Sequence, residues 1–268
     1  MKIIDLSLPI DDSVFEPLKV EIKRWGHKRG GDRFGLRWAL SKGIKGILNY
    51  ILGKERITHS SFKDGAFLAL EQVKATVHTG THLDAPYHFG PKTQGKRAKR
   101  IEEIPLEWCY GNGVVLDLSH KRPGEFITKE DIKEAIKKIG YEIKPFDIVL
   151  IRTGADRFFG TKKYFSHFPG MSKEAVAYIL GFNVKVIGID AFSFDRPFHV
   201  MIRDFLKTKD NSYLWPAHFY GREKEYCHIE RLANLDKIPK PYGFKVVCFP
   251  IKIKNASAAW VRAVAIIE

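Results

Sequence analysis

The feature that most constrains the fold is a strand, helix, strand unit in the second half of the chain. Residues 147–152 read Asp-Ile-Val-Leu-Ile-Arg, and this continuous apolar run is typical of a strand buried on both faces. A helix with Ser172 as its N-cap follows, and a second buried strand is predicted over residues 184–189. Buried strands that are joined by a helix indicate a sheet covered by helices.

Further elements of both kinds surround this unit. A helix is predicted to begin after the N-cap Thr128 and to end at Gly140, where a left-handed C-cap is needed. Strand patterns are predicted at residues 67–78, 113–118, 244–253 and 261–267. No helix separates the last two strands, so we predict a mixed α/β fold rather than a purely doubly wound one. No linker or repeat divides residues 1–268, which we interpret as a single domain.

Residues 26–57 are predicted to form a helical insertion in this domain. Their apolar residues are spaced for one or two short helices. Gly43 and Gly46 lie inside the series and weaken an isolated helix. We therefore expect the insertion to pack on a neighbour, either covering the active site or joining a subunit interface.

Length and composition exclude several classes of protein. The chain has 268 residues, of which 44% are hydrophobic, so it can bury a sizeable core. It contains no run of about 18 apolar residues, and its first residues do not have the pattern of a signal peptide. We therefore expect a cytoplasmic protein with no membrane partner. The three cysteines are far apart and odd in number, which favours reduced, buried thiols over disulfides or a thiolate zinc site.

The formal charge of +14 raises the question of an anionic partner. Basic clusters occur near residues 23–29 and 96–100, but acidic residues are interleaved along the rest of the chain. No RNA-binding or helix-turn-helix pattern accompanies the clusters. We interpret the charge as a solvated, lysine-rich surface and expect no nucleic-acid partner.

The residues with the clearest chemistry lie in one segment of eleven, HTGTHLDAPYH. Its imidazoles and its carboxylate all occupy even positions: His78, His82, Asp84 and His88. Gly80, the two threonines and Pro86 oppose a helix, so an extended chain is predicted, and equal parity then directs all four side chains to one side. The alternative is a chance group of solvated or core histidines, which such a dense cluster disfavours.

These residue types suit a divalent metal ion. Imidazole nitrogens and carboxylate oxygens are ligands of zinc and similar ions, and a catalytic site needs about three protein ligands with one position open for water. His78, His82 and Asp84 meet that number. His88 is then available to transfer protons to the leaving group.

The pattern His-x-Gly-Thr-His-x-Asp-x-Pro-x-His resembles the signature of the metal-dependent cyclase-like hydrolase family, which includes bacterial kynurenine formamidase, isatin hydrolase and trans-dienelactone hydrolase. The resemblance extends over most of the chain, at residues 4–7, 147–154, 188–195, 234–236 and 261–265. It implies a swivelling β/β/α type of architecture, and a homodimer or a homotetramer.

The resemblance to the formamidase branch also implies a two-metal site. In that reading His78 and His82 bind the first ion, Asp84 bridges both ions, and His88 is the catalytic acid and base. His218 and Glu230, far downstream, complete the second site.

Two alternatives to this ligand set stay open. His228 lies close to Glu230 in the chain, so either His228 or His218 could supply the second imidazole. One metal with an outer-shell Glu could also do similar work. For the substrate, the resemblance places Phe15 where the family has an aromatic residue that stacks on the bound molecule.

The expected function is therefore arylformamidase-like. We expect a metal-dependent hydrolase that cleaves a C–N bond of a small amide, formamide or cyclic imide with metal-activated water. The expected cofactor is zinc, as one or two ions, or manganese. The alternatives are a lactone (C–O) hydrolase of the same family and a non-catalytic protein that binds a metal or another ligand.

Overall fold

The structure, a computed structural model, describes all 268 residues and contains two compact units. The larger unit comprises residues 1–17 and 76–268, and the smaller unit comprises residues 18–75. The strands are β1 (Lys2–Asp5), β2 (Glu21–Trp25), β3 (Leu70–Lys74), β4 (His82–Asp84), β5 (Lys92–Thr93), β6 (Lys96–Arg97), β7 (Tyr110–Asp117), β8 (Phe126–Ile127), β9 (Ile148–Arg152), β10 (Gly170–Met171), β11 (Val186–Ile189), β12 (Cys227–Glu230), β13 (Phe244–Val247), β14 (Ala258–Trp260) and β15 (Val264–Ile267). The helices are α1 (His27–Ser41), α2 (Gly43–Ile51), α3 (Pro86–Phe89), α4 (Lys129–Ile139), α5 (Lys173–Leu180), α6 (Phe198–Thr208) and α7 (Pro216–Tyr220).

A nine-stranded mixed sheet organises the larger unit. Its strand order is β1-β15-β13-β7-β9-β11-β12-β4-β14. The four central strands β7, β9, β11 and β12 are parallel, and the strands on both sides of them pair antiparallel. This arrangement confirms the predicted mixed α/β fold, and β9 and β11 are the two strands predicted around the helix that follows Ser172.

Both faces of the central strands are buried, as the apolar run predicted. Val149 and Ile151 of β9 face a core formed with α4 and α5. Ile148 and Leu150 face a second core on the opposite side of the sheet. Successive side chains of a strand alternate between faces, so one apolar run serves both cores.

Helix α4 begins and ends at the predicted residues. The Thr128 hydroxyl accepts a hydrogen bond from the Asp131 backbone N–H (3.2 Å), and the Asp131 carboxylate accepts one from the Thr128 backbone N–H (2.7 Å). This reciprocal pair is a capping box. Gly140 closes the helix with φ of +64°, the left-handed conformation that favours glycine.

The smaller unit confirms the predicted helical insertion. It consists of the helices α1 and α2 and the antiparallel pair β2 and β3. Gly43 has φ of +66° at the junction of the two helices, and a side chain on Gly46 would collide with the Ala39 carbonyl. The two glycines therefore make the turn and the close approach of α1 and α2 possible. No helix in either unit combines the length and apolar composition that crossing a membrane requires.

The capping box gives a direct test of how α4 is stabilised. Thr128→Ala removes the acceptor for the Asp131 backbone N–H and should lower the free energy of unfolding by about 1 kcal/mol. Thr128→Ser keeps the hydroxyl and should restore most of that stability. Urea denaturation followed by circular dichroism measures both variants, and equal losses in the two would contradict the role of the hydroxyl.

Candidate active site

The HTGTHLDAPYH segment is extended only over β4, residues 82–84, so the predicted continuous extended chain is wrong. Gly80 has φ of +66° and turns the backbone before β4, and Pro86 starts the short helix α3 that carries His88. Glycine adopts that left-handed conformation without steric cost, and proline is well suited to the first position of a helix.

The four motif side chains nevertheless converge on one carboxylate. Asp84 is fully buried, and its Oδ1 lies 2.9 Å from Nδ1 of His78 and 3.5 Å from Nε2 of His82. Nε2 of His88 lies 3.9 Å from Oδ2 of the same carboxylate. The turn at Gly80 and the helix α3 therefore bring these side chains together, whereas the even spacing of the four residues had predicted that an extended strand would do so.

The first group of possible ligands is His78, His82 and Asp84. His82 Nδ1 lies 2.9 Å from the Gly80 carbonyl and donates to it, which leaves Nε2 as a lone pair directed into the site. His82 Nε2 is buried without a hydrogen-bond partner, and the buried Asp84 Oδ1, although 2.9 Å from His78 Nδ1, has no partner in hydrogen-bonding geometry. Two unpartnered acceptors that face each other suit a cation, so this donor set fits a divalent metal ion.

A second group comprises Asp84, His218, His228 and Glu230. The antiparallel pairing of β12 with β4 brings it together, because His228 is opposite Asp84 and Glu230 is opposite His82. His228 Nε2 lies 3.0 Å from Asp84 Oδ2, and His218 Nε2 lies 3.6 Å from Glu230 Oε1. The structure therefore brings both candidate histidines to Glu230, rather than one of them.

The carboxylate of Asp195 orients His218. Asp195 accepts hydrogen bonds from the backbone N–H groups of Ala217 and His218 (2.8 and 3.1 Å) and from His218 Nδ1 (2.5 Å). A carboxylate behind a histidine fixes its tautomer and directs the other nitrogen to a metal. Asp195 was not predicted as a site residue, because its contact with His218 depends on the position of α7.

Glu230 spans the two groups. Its Oε2 lies 3.6 Å from His82 Nε2, in the first group, while Oε1 faces His218 in the second. The Phe194 backbone N–H donates to Oε1 (2.7 Å), as does the Ser193 hydroxyl (3.2 Å). Asp84 likewise presents one oxygen to each group, so two carboxylates connect the groups.

Burial sets the protonation of the histidines. It lowers the pKa values of His82 and His88 to about 4, although the nearby Asp84 charge opposes the change. Burial also lowers the pKa of His218, but the hydrogen bond to Asp195 and the negative charges of Asp195, Glu230 and Asp84 together outweigh it and raise that pKa to about 9. Burial, with the Asp84 charge, raises the pKa of Glu230 to about 7. His88 is therefore neutral at pH 7 and able to accept a proton.

Phe15 lies in a loop that is anchored beside β12. The neighbouring residue Glu16 accepts two hydrogen bonds (2.8 and 3.0 Å) from the buried guanidinium of Arg231. The Phe15 ring is half exposed and packs edge-to-face on Phe165, with 5.3 Å between ring centroids. Phe165 in turn packs on Phe192, which also contacts Arg231. An aromatic surface thus runs from Phe15 to the residue that follows Glu230.

Comparison with known proteins agrees with this geometry. The sequence model of the putative cyclase family matches residues 4–196. The chain is 26% identical to an isatin hydrolase of Roseibium aggregatum over 223 residues, which cover 76% of this chain and 77% of that protein. It is 28% identical to a kynurenine formamidase of Geobacillus thermodenitrificans over 200 residues, covering 72% and 77%.

Solved structures show the same fold. The structure of an isatin hydrolase bound to the product analogue thioisatinate superposes with a TM-score of 0.72 at 22% identity, covering 99% of this chain and 92% of that chain. A predicted metal-dependent hydrolase from Bacillus stearothermophilus superposes with a TM-score of 0.60 at 19% identity, covering 98% and 97%. The chain belongs to the cyclase family of metal-dependent hydrolases.

Proposed function

We propose that this protein hydrolyses a C–N bond in a small amide, formamide or cyclic imide, in the manner of an arylformamidase. The observation that carries the proposal is a buried pair of ligand groups that share Asp84, beside a neutral and partly exposed His88. The names of two relatives, isatin hydrolase and kynurenine formamidase, support a C–N bond as the target. Isatin is a cyclic amide, and a formamidase acts on a formamide.

The proposed metal ligands are those that the sequence indicated. His78, His82 and Asp84 hold the first ion, and His218 and Glu230 hold a second ion together with Asp84. Nitrogen and oxygen donors of this kind suit zinc, and manganese is the alternative. A bound divalent ion polarises a carbonyl group and lowers the pKa of its water to about 7.

The proposed acid and base is His88. Its side chain is 32% exposed, so a substrate can reach it, and its pKa of about 4 leaves the imidazole neutral at pH 7. It accepts a proton as water attacks the acyl carbon, and it returns that proton to the nitrogen when the C–N bond breaks. The products are a carboxylic acid and an amine, or a ring-opened amino acid derivative.

We propose that the aromatic surface from Phe15 to Phe192 contacts the substrate, with Phe15 stacking on its ring.

A lactone is the second candidate substrate, because the same acid and base can protonate a leaving oxygen. A non-catalytic ligand-binding protein is disfavoured by His88, whose position beside the groups is unnecessary for holding an ion.

We further propose a homodimer or tetramer. We also propose a cytoplasmic location, which the three buried free thiols favour.

The roles of Asp84 and His88 predict different consequences of mutation. Asp84→Asn should abolish hydrolysis and release bound metal, because both groups lose their shared carboxylate. His88→Gln should keep the metal but lower kcat by about 10²–10⁴-fold, the usual contribution of a general base. Spectrophotometric assays with isatin, N-formylkynurenine and an aromatic lactone, each with Zn²⁺ or Mn²⁺, measure the activity.

The control for these variants is His120→Gln, which changes an exposed histidine in a turn outside both ligand groups. It should retain full activity and metal content. Hydrolysis that survives both a chelator and Asp84→Asn would exclude the proposed function. Activity on the lactone alone would favour the second candidate.

The raised pKa of His218 predicts that the stability of the metal-free protein depends on pH. Its pKa in the folded state is about 9, above the ordinary value of 6.5, so its contribution to stability is complete below about pH 6.5 and is lost as the pH rises through about 9. Denaturant unfolding of chelated protein at successive pH values should show this loss. Asp195→Asn removes the negative charge that raises the pKa of His218, so the stability of this variant should change less with pH. An unchanged slope of stability against pH would contradict this role of Asp195.

The exposed apolar face of the smaller unit supports the proposed oligomer. The apolar side chains around the α1–α2 turn and along α2 are more than half exposed: Leu40, Ile44, Leu48, Ile51 and Leu52. Ile44→Lys with Ile51→Lys should shift the protein to a smaller species in analytical ultracentrifugation. Leu206→Lys, a change of an apolar residue on α6 that is also more than half exposed, should leave the mass unchanged. Identical masses for all variants would exclude this face as the interface.

A further inference from the structure

His228 is one of two fully buried histidines in the two groups. Its side chain has no exposed surface, and its ring contacts two aromatic rings. Phe194 stacks on one side at 4.3 Å between centroids with an angle of 20°, and Phe89 lies at 4.9 Å. Phe194 also holds Glu230 through its backbone N–H. Both nitrogens of such an imidazole must find partners inside the protein, because water does not reach them.

Tyr226 determines which nitrogen of His228 carries the proton. The Tyr226 hydroxyl lies 2.9 Å from the Ala217 carbonyl and 3.3 Å from His228 Nδ1. A phenol has one proton, and the shorter contact is to a carbonyl that only accepts, so the hydroxyl donates to Ala217. The Tyr226 hydroxyl oxygen therefore accepts a hydrogen bond from Nδ1–H of His228. The lone pair of His228 is then on Nε2.

That lone pair faces Asp84. His228 Nε2 is 3.0 Å from Asp84 Oδ2, and a neutral imidazole in this tautomer has no proton to place between the two atoms. Two acceptors at this distance repel each other unless a cation lies beside them. In this tautomer the contact fits the same cation that the second group would hold.

Three distances among these ligand atoms are close to those around a tetrahedral ion. With metal to nitrogen and oxygen bonds of about 2.0–2.2 Å, ligand atoms around a tetrahedral centre lie about 3.4 Å apart. His228 Nε2 lies 3.0 Å from Asp84 Oδ2 and 3.6 Å from Glu230 Oε1, and His218 Nε2 also lies 3.6 Å from Glu230 Oε1. All four ligand atoms lie within 4.8 Å of one another.

We infer that His228 is a fourth protein ligand of the second ion, which makes that site closed, whereas the first site keeps an open position. A site with four protein ligands holds its ion as part of the structure, and a site with three leaves room for water or substrate. The inference rests on the proposed function and leaves the open position, where water would bind, at the first site. A second ion held there would fix Asp84 and Glu230, which border the first site.

Crystals of the full chain loaded with zinc test the assignment directly. Anomalous scattering at the zinc edge should locate an ion about 2.0–2.1 Å from His228 Nε2. An ion bound by Asp84, His218 and Glu230 with His228 more than 3 Å away would overturn the inference while leaving the proposed function intact. The absence of zinc from both groups would instead reject the proposed function.

Metal titration separates ligation from positioning. Chelator-stripped protein should take up two Zn²⁺ in competition with a chromophoric chelator. His228→Leu should weaken one of the two sites by more than about 100-fold, beyond the 10–100-fold loss typical of an outer-shell partner. Tyr226→Phe, which removes only the group that orients His228, should stay within that smaller range.

His82→Leu is the matched control, because it changes an equally buried histidine of the first group. It should weaken the other site and leave the closed site occupied. If His228→Leu and Tyr226→Phe cause equal losses, His228 only positions Asp84 and the inference is wrong. Circular dichroism establishes that each variant is folded, and the zinc-loaded crystal decides the question if His228→Leu is not.

Discussion

The pairing of β12 with β4 is the constraint on which the site depends. His82 and Asp84 on one strand, and His228 and Glu230 on the other, point to the same face of the sheet. Leu83 and Ile229, the residues between them, are fully buried in the core on the opposite face. A slip of one residue would exchange these sets and place carboxylates in the apolar core, so burial of the two apolar residues fixes the register of the site.

The register concentrates negative charge where water does not reach. Asp84 and Glu230 are both buried, and isolated buried carboxylates are costly unless positive groups compensate them. The surroundings shift the pKa values of these carboxylates in opposite directions. The neighbouring histidines hold the pKa of Asp84 well below its ordinary value despite burial, whereas burial raises the pKa of Glu230. His218 stays protonated in the absence of a metal. The same arrangement that holds a proton on His218 attracts a divalent cation.

The sequence predicted the parts of the site that are local. Eleven consecutive residues contain His78, His82, Asp84 and His88, and the capping residues of α4 and the apolar run of β9 are equally local signals. The prediction missed the turn at Gly80 and the helix that starts at Pro86, because glycine and proline oppose a helix interior but suit a tight turn and a first helical position. The contacts of Asp195 and Tyr226 join elements distant in sequence, and no periodicity in a single chain specifies which strands become neighbours.

Access distinguishes the two ligand groups. His78 and His88 are 30% and 32% exposed, whereas the side chains of His218, His228 and Glu230 are almost fully buried. A substrate that enters from solvent therefore meets the first group and His88 before any residue of the second. An ion held by the second group would act on the reaction by fixing Asp84 and Glu230, because the side chains that would hold it are almost fully buried. This difference in exposure favours the first group as the place where a substrate would react.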